Sequence, residues 1–193
     1  VAYRTGGFCQ DRFGRMSHHG IGRRYHHLWG GVFHHRSGGG SHRTFGRLVA
    51  KNLCASNLVT EVVVAGRNID AAQEFAHELG SKAEAAKVDV LNEPEIRSVA
   101  RGSDLLVNTT GPDHMTAFPA ARAAIDIGAH YCDLSADCES TKRLLEHDSA
   151  AKAAGTIILP GIGYCPGETN LLLKHAASQL DKGEDLRLLF VYN

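Results

Sequence analysis

From Gly46 onward the hydrophobic and polar positions follow two alternating periods. Arg47-Leu48-Val49-Ala50-Lys51-Asn52-Leu53 spaces its apolar residues at helical intervals. Thr60 to Ala65 (T-E-V-V-V-A) is β-branched and stops at Gly66, which predicts a buried strand. Asn68 is placed to cap a helix from Ile69 to Leu79, and Gly80 to close it. Lys87 to Val90 predicts a short strand. Asn92-Glu93-Pro94-Glu95 then has the cap-x-x-Glu spacing of a capping box, with Pro in the first turn, where it is tolerated.

The alternation continues. Asp104 to Thr109 predicts a strand broken by Gly111-Pro112, and an Ala-rich helix follows from about Met115 to Ile127, stopped by Gly128. His130 to Leu134 is strand-like, and Lys142 to Ala154 predicts one helix ending at Gly155. Thr156 to Leu159 is a strand, Glu168 to Leu180 a helix and Leu186 to Tyr192 a last strand. Strands alternating with helices over short connections give a mostly parallel sheet covered on both faces, a doubly wound α/β domain. In such sheets the ligand lies beyond the carboxyl ends of the strands.

The first forty residues break this pattern. Paired histidines recur at His18-His19, His26-His27 and His34-His35, with Gly and Arg between them and no sustained apolar period. Formal charge over all 193 residues is zero. Residues 1–50 nevertheless carry eight Arg and one acid, a balance of +7, which the remaining residues cancel. A His-rich tract suggests metal binding, but a metal site needs ligands fixed on a scaffold, so we expect no metal site. Arg without interleaved aromatics or a fold gives no case for nucleic acid. We expect residues 1–37 to be a low-complexity segment that packs poorly.

No stretch approaches the ~18–20 uninterrupted apolar residues of a membrane span. The five cysteines are odd in number and contain no C-x-x-C pair, which argues for reduced thiols in a cytoplasmic protein.

The strand ends hold the candidate chemistry. Gly38-Gly39-Gly40-Ser41-His42-Arg43-Thr44-Phe45-Gly46 lies where a phosphate-binding turn belongs, small residues letting backbone N–H groups approach a pyrophosphate. The middle glycine of G-x-G-x-x-G is missing, and Phe33 to Ser37 makes a poor buried strand. Arg67, just past the second strand and without an acidic neighbour in sequence, suits the 2′-phosphate of NADP better than the ribose of NAD. Asp89 is placed to approach the adenine side. Asn108-Thr109-Thr110-Gly111-Pro112 forms a rigid turn whose backbone can line a dinucleotide; ordinary turn chemistry is the bland alternative.

Taken together, Gly40–Leu53, Val62–Asn68, Asp104–Pro112, Gly128–Asp137 and Ala154–Leu172 resemble the NADP-binding domain of saccharopine dehydrogenase-like proteins. The resemblance implies a Rossmann-type domain over 38–182 that binds NADP, with NAD the weaker option, and a substrate domain whose start would be 183–193. It implies an oxidoreductase acting on a C–N bond between an amino acid and a carbonyl partner, a small-molecule substrate, and a homodimer of the full-length protein. Carried onto this chain, Gly40, Ser41, Thr44, Phe45 and Gly46 would face the pyrophosphate and Arg67 the 2′-phosphate, with Asn68 and Asp89 as further candidate cofactor-binding residues. Asn108, Thr109, Gly111 and Pro112 would line the cofactor toward the nicotinamide. Family members often have Asp before the Pro166-Gly167 turn and His soon after; Cys165 and Asn170 stand there instead.

Cys132, Asp133 and Cys165 are reactive-looking groups near strand ends, for which buried packing is the simpler reading; no catalytic residue is assigned. A non-catalytic nucleotide-binding module and a non-functional fragment are the alternative readings. A short-chain reductase is disfavoured, because the Tyr-x-x-x-Lys pair is missing: Ser135 follows Tyr131 and Glu168 follows Tyr164. We expect no substrate turnover by this chain alone; NADPH oxidation with any imine substrate would overturn that expectation. If the lead segment comes from a shifted reading frame, the coding DNA should hold an ordinary strand-coding segment in another frame.

Overall fold

The computed structural model describes residues 26–28, 41–182 and 185–187, with the backbone alone for 26–28 and 41–44. Its six described strands are all parallel. β2 (Val62–Gly66) pairs with β3 (Ala83–Lys87), Val62 opposite Ala83 and Gly66 opposite Lys87. The other ladder runs β1 (His26–Leu28), β4 (Leu105–Asn108), β5 (His130–Asp133) and β6 (Ile158–Leu159). β1 also runs alongside β2, so the order across the molecule is β3-β2-β1-β4-β5-β6. That is the doubly wound order, with its switch point between β1 and β4.

Burial follows from this topology. All five residues of β2 are buried, as a parallel strand covered on both faces requires. The helices are α1 (Ser41–Ala55), α2 (Ile69–Leu79), α3 (Glu93–Val99), α4 (Asp113–Ile127), α5 (Cys138–Leu145), α6 (Asp148–Ala153) and α7 (Glu168–Ser178). Two hydrophobic clusters form. One gathers Val62, Val64, Ala72 and Phe75 around Ala50 and Val59. The other packs Val88, Val90, Ile96, Leu106 and Tyr131 against an alanine stripe of α4 (Ala117, Ala120, Ala121, Ala124). Side chains of one carbon let that helix lie close on the sheet.

Local signals act as the sequence indicates at most element ends. Asn68 accepts a hydrogen bond from the Ala71 N–H at 3.1 Å, and the Gly80 N–H reaches back to the carbonyls of Ala76 and His77. Asn92 caps α3 through the Glu95 N–H at 3.4 Å, while the Glu95 carboxylate takes the Asn92 amide at 2.7 Å and the Asp89 N–H at 2.9 Å. Gly128, at φ 75°, ends α4 in the left-handed conformation.

Three expectations need correction. The third strand is Ala83–Lys87, not 87–90. Its Ala-Glu-Ala-Ala-Lys sequence has weak strand propensity, and pairing with β2 overrides that weakness; Val88 and Val90 are buried just beyond it. The helix expected over 142–154 is two helices. His147 breaks it, its ring edge-on to Phe118 with centroids 4.9 Å apart and its Nδ1 3.1 Å from the Arg143 carbonyl. The central place goes to His26-His27-Leu28, within the segment expected to lack a fold. Residues 1–25, 29–40, 183–184 and 188–193 lie outside the described residues; of the last strand expected over 186–192 only Leu186 and Arg187 are described, and they form no strand. Among the described residues no helix is long and apolar enough to cross a membrane.

Phe75 has no exposed surface, and the Arg47 guanidinium lies 4.0 Å above its ring. Phe75→Ala should lower the unfolding free energy by about 3–5 kcal/mol in urea melts. Leu58→Ala, at a side chain 81% exposed, should stay within about 0.5 kcal/mol of the parent.

Candidate functional site

The carboxyl ends of the strands converge on one edge of the sheet, and the switch point puts the crevice beside the ends of β1 and β4. Ladder pairing sets Leu28 opposite Asn108 there. α1 begins at Ser41, and the first turn of a helix carries backbone N–H groups without intrahelical partners, of the kind that bind phosphate. Gly40 and the side chains of Ser41 and Thr44 lie outside the described residues. Phe45 is 44% exposed. Gly46 is buried inside α1.

Arg67 follows the last residue of β2 and is exposed. The fold supplies the acidic neighbour that its sequence lacks. The Val88 N–H bonds to the Gly66 carbonyl at 3.0 Å, which brings Asp89 past Arg67. Partial burial draws the Arg67 pKa down, and the Asp89 carboxylate opposes that shift; a guanidinium stays charged regardless. Asn68 spends its side-chain oxygen on the α2 cap. Asp89 accepts the Leu91 N–H at 3.0 Å, a turn-forming contact.

At the end of β4, Asn108, Thr109 and Thr110 are all buried. Asn108 turns inward: its Oδ1 accepts the Thr110 N–H at 3.0 Å and the Thr110 hydroxyl, and its Nδ2 lies 3.4 Å from the Tyr131 oxygen. Thr110 in turn receives the Thr116 hydroxyl on its carbonyl at 2.9 Å. Thr109 is different. Its side chain is 2% exposed, yet its hydroxyl is the buried side-chain polar atom without a hydrogen-bond partner among the described residues. Such an atom costs roughly 1–3 kcal/mol unless something bonds to it. Gly111 and Pro112 complete the turn with a cis peptide bond between them.

Beside this turn lies a buried carboxyl that the motifs did not single out as a site residue. Asp133 Oδ1 accepts the Gly161 N–H at 2.7 Å and the Ser135 N–H at 3.0 Å, and Oδ2 accepts the Tyr131 hydroxyl at 2.8 Å. Burial raises its pKa most, with hydrogen bonds from Gly161, Tyr131 and Ser135 pulling the other way. Burial also pushes Tyr131 well up, and Cys132 up to about 12, so this thiol stays protonated and inert. The Tyr-x-Asp spacing was a usable signal, because residues two apart share one face of a strand.

After β6 the chain makes a compact turn. Gly167 has φ 125°, and a Cβ there would lie 2.2 Å from the Gly163 carbonyl oxygen. Cys165 and Asn170 flank this turn, Cys165 half-buried and Asn170 exposed.

Comparison with known proteins decides the family. The saccharopine dehydrogenase NADP binding domain matches residues 39–159, more than half of the chain. This chain belongs to the saccharopine dehydrogenase NADP-binding family. The fold of saccharopine dehydrogenase (L-Glu forming) from Saccharomyces cerevisiae superimposes with a TM-score of 0.63 at 21% identity, over 80% of this chain and 31% of that one. An NAD binding oxidoreductase from Klebsiella pneumoniae superimposes with a TM-score of 0.51 at 20% identity, over 85% of this chain and 41% of that one. The chain thus spans less than half the length of either protein. Membership makes residues 39–159 an NADP-binding domain.

Two outcomes check the backbone strain at Gly128 and Gly167 and the burial of the Asp133 carboxyl. Gly128→Ala, left-handed but with open space around its Cβ, should cost about 1–2 kcal/mol in thermal melts; Gly167→Ala, both strained and clashing, should cost more. For Asp133, a folded pKa raised above the ordinary 3.8 means stability present below 3.8 and lost as pH climbs through the folded value. Relative to Asp133→Asn, the parent should therefore lose stability with rising pH across that window; the reverse trend in pH-dependent melts would contradict it.

Proposed function

We propose that this chain holds NADP for an oxidoreductase acting on an amino-acid-derived C–N bond, its substrate a small molecule. The observation that supports the reading is the Thr109 hydroxyl, buried and without a partner among the described residues, at the carboxyl end of β4 beside the switch point. A ligand hydroxyl or amide bonding there would satisfy it. The α1 N-terminus suits a pyrophosphate, and the Arg67 fork suits a 2′-phosphate. The set therefore fits a dinucleotide with its adenosine half over β2 and β3 and its nicotinamide half toward β4 and β5.

When bound, the nicotinamide supplies hydride chemistry. The chain's own residues bind and orient. Arg67 fixes the phosphorylated ribose, Gly111 and Pro112 shape the wall, and Thr109 anchors the inner edge. Buried Cys132 and Asp133 serve the frame rather than a reacting centre, and Asp89 tempers the charge that Arg67 offers.

Calorimetric titration tests the reading. The chain should bind NADPH more tightly than NADH, and Arg67→Ala should reduce that preference about tenfold, the loss expected for a charge-assisted phosphate contact. Binding of neither nucleotide, or an unchanged preference in Arg67→Ala, would overturn it.

A further inference from the structure

Three turns meet at the carboxyl ends of β4, β5 and β6, and one carboxyl group joins them. Asp133 Oδ1 receives the N–H of Ser135, in the turn after β5, and of Gly161, in the turn after β6. Its Oδ2 receives the Tyr131 hydroxyl at 2.8 Å. The Tyr131 oxygen lies 3.4 Å from the donor Nδ2 of Asn108, and Asn108 Oδ1 accepts the Thr110 N–H at 3.0 Å. Every donor in this chain points the same way, from the Thr110 backbone through Asn108 and Tyr131 to Asp133. A one-directional series of buried hydrogen bonds polarises each member and reinforces the others.

We propose that Asp133, Tyr131 and Asn108 are positioning residues: their hydrogen-bonded chain fixes the Thr109–Pro112 turn against which the nicotinamide half of the dinucleotide lies. The inference rests on the cofactor reading above. Asn108 belongs to it because both ends of its amide are engaged inside the protein, whereas the neighbouring Thr109 hydroxyl is not. Packing alone does not ask for a carboxyl here. A hydrophobic side chain would fill the end of β5 but would leave the Gly161 and Ser135 N–H groups without their acceptor, each at a cost. Tyr131 is fully buried, and its hydroxyl has a second acceptor in the Ala117 carbonyl at 3.2 Å. Asp133→Asn can therefore keep the connection: the new amide donates to the Tyr131 oxygen, and the hydroxyl turns to Ala117.

The test uses the full chain and two probes, NADPH and 2′,5′-ADP, the latter carrying only the adenosine half. Tyr131→Phe removes the relay while keeping the ring that fills the core. It should weaken NADPH binding about tenfold and leave 2′,5′-ADP affinity unchanged, while Asp133→Asn should bind NADPH within about twofold of the parent. Equal weakening of both probes would show general loosening and overturn the proposal. Unchanged NADPH binding by Tyr131→Phe would overturn the positioning role and leave the cofactor reading intact. No binding of either probe by the parent would overturn both. Amide exchange on the parent needs no variant: the Thr110 N–H should exchange slowly, and exchange at the free-chain rate would overturn the proposal even if Tyr131→Phe failed to fold.

Discussion

Much of this structure depends on the backbone demand of β4. A strand at the centre of a parallel sheet has donors and acceptors along both edges, and Leu106, without exposed surface, has no water to offer them. β5 satisfies one edge from Leu105 to Asn108. β1 satisfies the other with three residues, His26 to Leu28. The requirement is for a paired backbone, which any residue other than proline can meet. That is why a His-His-Leu segment can hold a place for which a run of valines or isoleucines is the usual choice.

Once β4 is held on both edges, its carboxyl end becomes a fixed point. The chain leaving it turns at once through Asn108 and Thr110 and enters α4, whose alanine stripe lies over the same sheet. The polar groups there are sorted by the direction they face. Asn108, Tyr131 and Asp133 bond to one another below the surface, and the Thr109 hydroxyl has no partner among the described residues. A buried polar atom without a partner calls for an explanation, and open α/β sheets take their ligands at the switch point, where this one lies.

The sequence made legible what local chemistry decides. Asn68 and Asn92 cap their helices, and Gly80 and Gly128 end theirs, because each signal acts over three or four residues. Strand β2 was legible because five buried positions select Val and Ala over polar residues. Less legible was whatever long-range pairing imposes. β3 is Ala-Glu-Ala-Ala-Lys, a helix-like composition made a strand by its neighbour. The break at His147 depends on Phe118, 29 residues away in sequence. In the site, Arg67 and Asp89 were each visible as strand-end charges, but their pairing was not, since the β2–β3 register brings them together. The buried role of Asn108 was likewise hidden, because the same residue type in the same turn could have faced the crevice.

The two hydrophobic clusters share β2 from its opposite faces: Val62 and Val64 pack with Phe75 in one, while Ala65 belongs to the other, together with Val88, Val90, Leu106 and Tyr131. The second cluster thus reaches from the β2–β3 side to the β4–β5 side without depending on the short strand β1. A core continuous across the sheet makes fraying of three ladder pairs at β1 a local event, separable from opening of the whole domain.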